Sequence, residues 1–209
     1  MKIFLFGVSL CLLCFISCKK INSIKKLEDD IVFKMFNPYL SLTPTDSVIE
    51  ITSSDCFIPY HKDTSARIFL DFDHDGTDDY EMIYSIHYDS ISEDSCMNYH
   101  SKITFKSAVF GHTVFVTDKN TNKVMFYDDK QPIVNTSVTS ANQAIIYDNS
   151  PNNSFTDADK ENNIIGFQLL NGKVGWLKFF LLKDQFQLKM IEYAYNDQVQ
   201  LKIKAGQKE

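Results

Sequence analysis

Beyond residue 45 the chain alternates short runs of β-branched and aromatic residues with clusters of Gly, Asn, Asp and Pro. Such runs, broken by turn residues, predict strands over residues 48–52, 67–71, 80–88, 102–110, 112–117 and 123–127. Further strands are predicted over residues 144–147, 164–170, 173–182, 186–195 and 199–203. Asn171-Gly172 lies between two of these runs and is a type I′ hairpin signal. Residues 131–142 and 148–162 are polar connections, and Asp157, Asp159 and Glu161 in the second read as a solvated acidic loop. About ten short strands with no helical pattern between them predict an all-β fold, an antiparallel β-sandwich.

The first residues follow a different pattern. Lys2 is followed by an unbroken apolar or small run over residues 3–16, and Ser17 then precedes Cys18. A charged start, a short apolar core and a small residue at the cleavage point form the layout of a bacterial lipoprotein signal. A membrane-spanning helix needs about 20 apolar residues, and Lys19 and Lys20 interrupt the run before that length. A secretory signal cut without lipidation is the other alternative, but an Ala-x-Ala-like site is missing. The reading is therefore a signal peptide at 1–17, a lipid anchor on Cys18 with a tether over 18–45, and one β-sandwich domain at 46–209. It places the protein in the bacterial cell envelope, at the outer membrane, held by lipid.

Within the tether, Ile24, Leu27, Ile31 and Met35 recur at helical intervals. A short helix is expected there, with Ser23 as its cap and Asn37-Pro38 as its end. Lys19, Lys20, Lys25 and Lys26 can lie against anionic head groups, at about 1 kcal/mol for each basic residue near the surface, or in a solvated linker.

Composition narrows the choice of partners. The net charge is −6 and the pI about 5.3, and removal of Lys2 makes the chain more acidic still. No basic stripe accompanies the aromatic residues, so a nucleic-acid partner is not expected. Cys11 and Cys14 leave with the signal peptide, which leaves Cys56 and Cys96 besides the lipidated Cys18. In an oxidising compartment that pair predicts a Cys56–Cys96 disulfide, two buried thiols being the alternative.

Residues 71–79 carry the most specific chemistry, in the order Asp-Phe-Asp-His-Asp-Gly-Thr-Asp-Asp. Calcium loops take side-chain oxygens from positions one, three and five, a sharp turn from glycine at six and a backbone carbonyl from position seven. Those positions are Asp71, Asp73, Asp75, Gly76 and Thr77, and Asp79 falls at the ninth. The twelfth position holds Met82 rather than the bidentate Glu of an EF-hand, and a strand leads in. The segment resembles the strand-flanked calcium loops of integrin-type propeller repeats and other secreted β proteins, a resemblance that implies a closing role for Asp79. A structural calcium on Asp71, Asp73, Asp75, Thr77 and Asp79 is expected. The alternative is an Asp-Gly hairpin with solvated acids. Four of the five histidines, His61, His74, His87 and His100, are spaced by thirteen residues each time and form no zinc spacing.

Near the C-terminus, Ile164-Ile165-Gly166-Phe167, Asn171-Gly172, Gly175-Trp176-Leu177 and Glu192-Tyr193-Ala194-Tyr195 follow in order. This resembles a hairpin of uncharacterised secreted bacterial β-sandwich proteins that carry an Asp-rich loop upstream. Val174 stands where those proteins have tyrosine. The resemblance implies fold only, and Trp176 is expected as a core anchor.

No Gly-x-Ser-x-Gly or Ser-x-x-Lys motif is present. The functional expectation is a non-enzymatic envelope lipoprotein, a calcium-stabilised sandwich that binds a glycan or an envelope protein. The alternatives are a carboxylate-dependent hydrolase and a structural subunit of a surface complex.

Overall fold

The computed structural model describes residues 30–44, 64–88, 99–134, 139–150, 155, 158, 163–199 and 202–209. The signal peptide, Cys18, Cys56, Cys96, the strand predicted at 48–52 and the acids Asp157, Asp159 and Glu161 lie outside them.

The described residues form β-strands and no α-helix. The first half of the fold contains β1 (Ile31–Leu42), β2 (Thr64–Leu70), β3 (Tyr80–Tyr88), β4 (Tyr99–Ser107), β5 (Thr113–Asp118), β6 (Lys123–Val124) and β7 (Phe126–Tyr127). The second half contains β8 (Pro132–Ile133), β9 (Thr139–Ala141), β10 (Gln143–Asp148), β11 (Asn163–Gln168), β12 (Val174–Leu182), β13 (Gln187–Asn196) and β14 (Ile203–Lys204).

The all-β expectation holds, but the antiparallel ten-stranded sandwich does not. Twelve strands join one sheet in the order β1-β13-β12-β11-β5-β6-β10-β4-β3-β2, with β7 on β11 and β9 on β5. The sheet is mixed, because β6 runs parallel to β10 through Lys123 and Ile145. Its end strands β1 and β2 approach each other, so the sheet nearly closes into a barrel. Two separate sheets would leave four edges with unpaired backbone groups; a curled sheet brings its only two edges together.

The tether helix is corrected as well. Residues 31–42 form β1, paired with β13 from Ile31 opposite Asn196 to Leu42 opposite Leu188. Ile31, Val32 and Phe33 fit a strand better than a helix. Pro38, which donates no N–H, is tolerated because β1 is an end strand and bulges there. The Asn37–Pro38 peptide is cis. Between Met35 and Leu40 the chain gains residues while β13 advances only from Glu192 to Met190.

Three smaller corrections follow from turn chemistry and register. The 171–172 hairpin is not type I′, since Gly172 has positive φ and Asn171 does not. Gly172 N–H instead donates to the Leu169 carbonyl at 2.9 Å, and Leu169 N–H to the Lys173 carbonyl at 2.9 Å, which gives a three-residue loop ending in a left-handed glycine. Among the described residues of the strand predicted at 199–203, Ile203 belongs to β14, which pairs with β8 in a separate two-stranded ribbon. Residues 131–142, read as a polar connection, contain β8 and β9.

The sheet buries apolar side chains on both faces. Inside the curl, Phe72, Tyr80, Met82, Phe105, Phe167 and Phe179 belong to one large core. On the outer face of β11, β12 and β13, a second core gathers Phe115, Ile133, Trp176, Ala194 and Ile203. The β8–β14 ribbon supplies Ile133 and Ile203 to that core, and Trp176 Nε1–H donates to the Gln207 carbonyl at 3.2 Å. Trp176 is fully buried, as expected of an anchor.

Alternation explains the hairpin motif. Gly166 stands opposite Trp176 and Phe167 opposite Gly175. A Cβ on Gly166 would press on the Phe115 ring, and one on Gly175 on the Phe167 ring. Each glycine thus makes room for an aromatic ring, one on each face of the sheet.

Candidate metal centre

Residues 71–79 connect β2 to β3 at one end of the barrel. The two strands are paired along their whole length, up to Leu70 opposite Tyr80. Asp79 N–H donates to the Leu70 carbonyl at 2.8 Å and closes the loop at its base. Asp79 Oδ2 accepts the Phe72 N–H at 2.7 Å, and Asp71 Oδ2 accepts the Gly76 N–H at 3.0 Å. Gly76 has φ of +89°, the conformation for which glycine is suited.

One side chain of the loop enters the core. Phe72 stacks on Phe167 at 4.6 Å between ring centres and lies 4.6 Å from Tyr193. The Tyr193 hydroxyl donates to the Phe72 carbonyl at 3.1 Å and lies 3.0 Å from His74 Nε2. The hydroxyl has one proton and the carbonyl can only accept, so His74 Nε2–H is the donor to Tyr193. Burial, then the nearby Tyr195 and Asp71, push the Tyr193 hydroxyl up to about 12, and it stays protonated as a donor. The loop is therefore held by its own backbone, by a buried ring and by a strand far away in sequence.

Asp71, Asp73 and Asp79 each bring a carboxylate oxygen to a common point, all within 4.8 Å of one another. This triad, with Asp79 buried and Asp71 and Asp73 half-buried, can hold a metal ion. Oδ1 of Asp71 and Oδ1 of Asp73 are out of contact with solvent and accept no hydrogen bond from the described residues. Asp79 is buried, and desolvation raises its pKa. The Phe72 N–H opposes that rise, while the charge of Asp73 adds to it. Oxygens that lack donors and repel each other are what a cation would relieve.

The fourth expected carboxylate, that of Asp75, is not part of the triad. Asp75 is exposed and its Oδ1 accepts the Thr77 N–H at 2.7 Å. Asp75 and Thr77 nevertheless line the same hollow of about 260 Å³ as Asp73 and Asp79. His112 and Val109, and Leu170 and Asn171 at the β11–β12 turn, line it too. His112 Nδ1 lies 3.3 Å from Asp79 Oδ1 and 3.2 Å from the Asp79 carbonyl. Neither His112 nor Tyr193 carries a signal in the sequence, since each reaches the loop from a different strand or turn.

Fold and loop together define a class: an all-β, nearly closed barrel with an acidic end loop that can hold a metal ion. No protein-family model, curated protein or solved structure matches the chain.

Proposed function

We propose that this is a non-enzymatic, lipid-anchored protein of the bacterial cell envelope. In this reading it is a binding module for a glycan or an envelope protein, and its barrel is stabilised by calcium in the 71–79 loop. The observation that carries the metal reading is the triad of Asp71, Asp73 and Asp79, with two buried oxygens that lack donors. An oxygen-only donor set suits a hard cation. Calcium accepts 6–8 oxygens in flexible geometry, whereas magnesium demands a tight octahedron and keeps its waters. Asp75 and Thr77, which line the same hollow, would complete the set. The role of the ion is structural, because it would tie β2 to β3 at the end of the barrel. Export and lipidation rest on Lys2, the apolar run and Cys18.

The test is the thermal midpoint of the purified protein in chelator and in millimolar calcium. Binding to the folded state alone should add about 1.4 kcal/mol at tenfold excess over Kd, and magnesium should add less. An equal midpoint in chelator and in calcium would refute the metal reading. Cys18→Ala should release the protein from membranes or leave it unprocessed, and an unchanged membrane fraction and mass would refute the anchor.

A further inference from the structure

A hollow of about 740 Å³ lies away from the acidic loop, on the outer face of the sheet. That volume is within the range of about 300–1,000 Å³ typical of small-molecule sites. Its floor is a single cross-strand row. Tyr127 stands opposite Ile164, Ile164 opposite Lys178, and Lys178 opposite Glu192. At about 4.8 Å between neighbouring strands, the row runs about 14 Å across β7, β11, β12 and β13. Asp128 and Asp129, and Gly206 and Lys208 of the C-terminal segment, line it as well, with Gly206 packed against the Asp129 carboxylate. Backbone bonds join those two segments: Lys130 N–H to the Ala205 carbonyl at 2.8 Å and Ala205 N–H to the Gln131 carbonyl at 2.9 Å.

The charges in this hollow select a ligand class. Glu192 is buried, and its carboxylate meets Lys208 Nζ at 2.8 Å and Lys178 Nζ at 3.8 Å. Glu192 offsets one of the two cations, and with Asp128 and Asp129 the lining holds three carboxylates against two ammonium groups, a net charge of −1. A phosphate or other polyanion would meet net repulsion. An apolar ligand would strip water from two ammonium groups and three carboxylates without replacing their hydrogen bonds. A neutral molecule rich in hydroxyl groups can serve both, since each hydroxyl donates once and accepts twice. The Tyr127 hydroxyl at the floor is itself buried and has no hydrogen-bond partner among the described residues. The geometry points to a binding site for a neutral oligosaccharide in the hollow bounded by Tyr127, Asp128, Lys178, Glu192 and Lys208. This rests on the reading of the protein as a binding module and locates its ligand away from the metal loop.

The test uses the full chain in detergent on an array of neutral and anionic oligosaccharides, with hits titrated by calorimetry. Neutral oligosaccharides should bind. Lys178→Met, on the floor, and Asp128→Asn, an exposed wall position, should each weaken the binding about tenfold. Asp128→Asn should leave the thermal midpoint unchanged, so its loss of affinity cannot be attributed to misfolding. A blank array with folded protein, binding confined to anionic glycans, or unchanged affinity in either variant overturns the proposal. The calcium-dependent thermal shift, read on the same samples, tests the metal loop separately. A failure there leaves the oligosaccharide site standing, and a blank array leaves the loop standing.

Discussion

Asp79 and Glu192 are both buried acids of this barrel, only 3% and 4% exposed, yet their surroundings are opposite. Glu192, on the outer face, is met by two lysines that arrive from β12 and from the C-terminal segment. Asp79, at the end loop, is met by Asp71 and Asp73, by one backbone N–H and by His112. A buried carboxylate is tolerated when its charge is compensated and its oxygens accept hydrogen bonds. On the outer face this chain's own side chains meet that condition. At the loop they meet it only in part, and a cation would supply the remainder. The comparison teaches that burial alone does not mark a metal site. The sign of the neighbouring charges does.

Trp176→Ala should have the largest effect, because it empties the outer core while leaving the loop untouched. Loss of a buried tryptophan costs about 3–5 kcal/mol. Denaturant unfolding should show that drop with the calcium increment intact; an increment lost along with stability would mean that the two regions are not independent.

Asp73→Asn separates the loop from an ordinary acidic turn by the sign of its effect. In calcium the variant should lose about 1.4 kcal/mol at tenfold excess over the wild-type Kd. In chelator it should be as stable as wild type or more so, since one member of a repelling group has lost its charge. An equal loss under both conditions would show that Asp73 acts without an ion.

On the outer face, Lys208→Ala should cost about 0.5–1 kcal/mol, as the lysine is partly exposed and Lys178 still faces Glu192. The cost should shrink in high salt. A salt-independent loss would point to the Lys208 ammonium over the Phe33 ring instead.

The smallest expected effect is a pH dependence confined to chelator. The raised pKa of Asp79 means that the folded state holds this proton more tightly than the unfolded chain does. Its contribution to stability should therefore rise as pH falls through the raised pKa and level off below the unfolded value of about 3.9. Calcium should reverse the trend, because acid displaces a bound cation. Stability curves against pH in chelator and calcium that run parallel would contradict this.

Strand content was legible because alternation and turn residues are local. The strand that alternation predicts over residues 80–88 is β3, and the 164–170 and 173–182 runs are β11 and β12 to within a few residues. The spacing of Asp71, Asp73, Gly76 and Asp79 was equally legible, since a nine-residue loop carries its own geometry. β1 was not, because a half-exposed end strand has weak alternation, and Ile31 and Met35 happen to fall at a helical interval.

By itself, then, the sequence determined the all-β class, most strand positions and the acidic loop, each encoded within about a dozen neighbouring residues. Tertiary structure alone decided that one mixed sheet curls upon itself, that β6 lies parallel to β10, and that Tyr193 and Phe72 hold the loop to the barrel. It alone brought Asp128, Lys178, Glu192 and Lys208 around one hollow. The physical reason is the range of the interactions. Propensity, turn chemistry and ligand spacing act between near neighbours, whereas sheet order and cross-strand rows join residues whose sequence separation leaves no local trace.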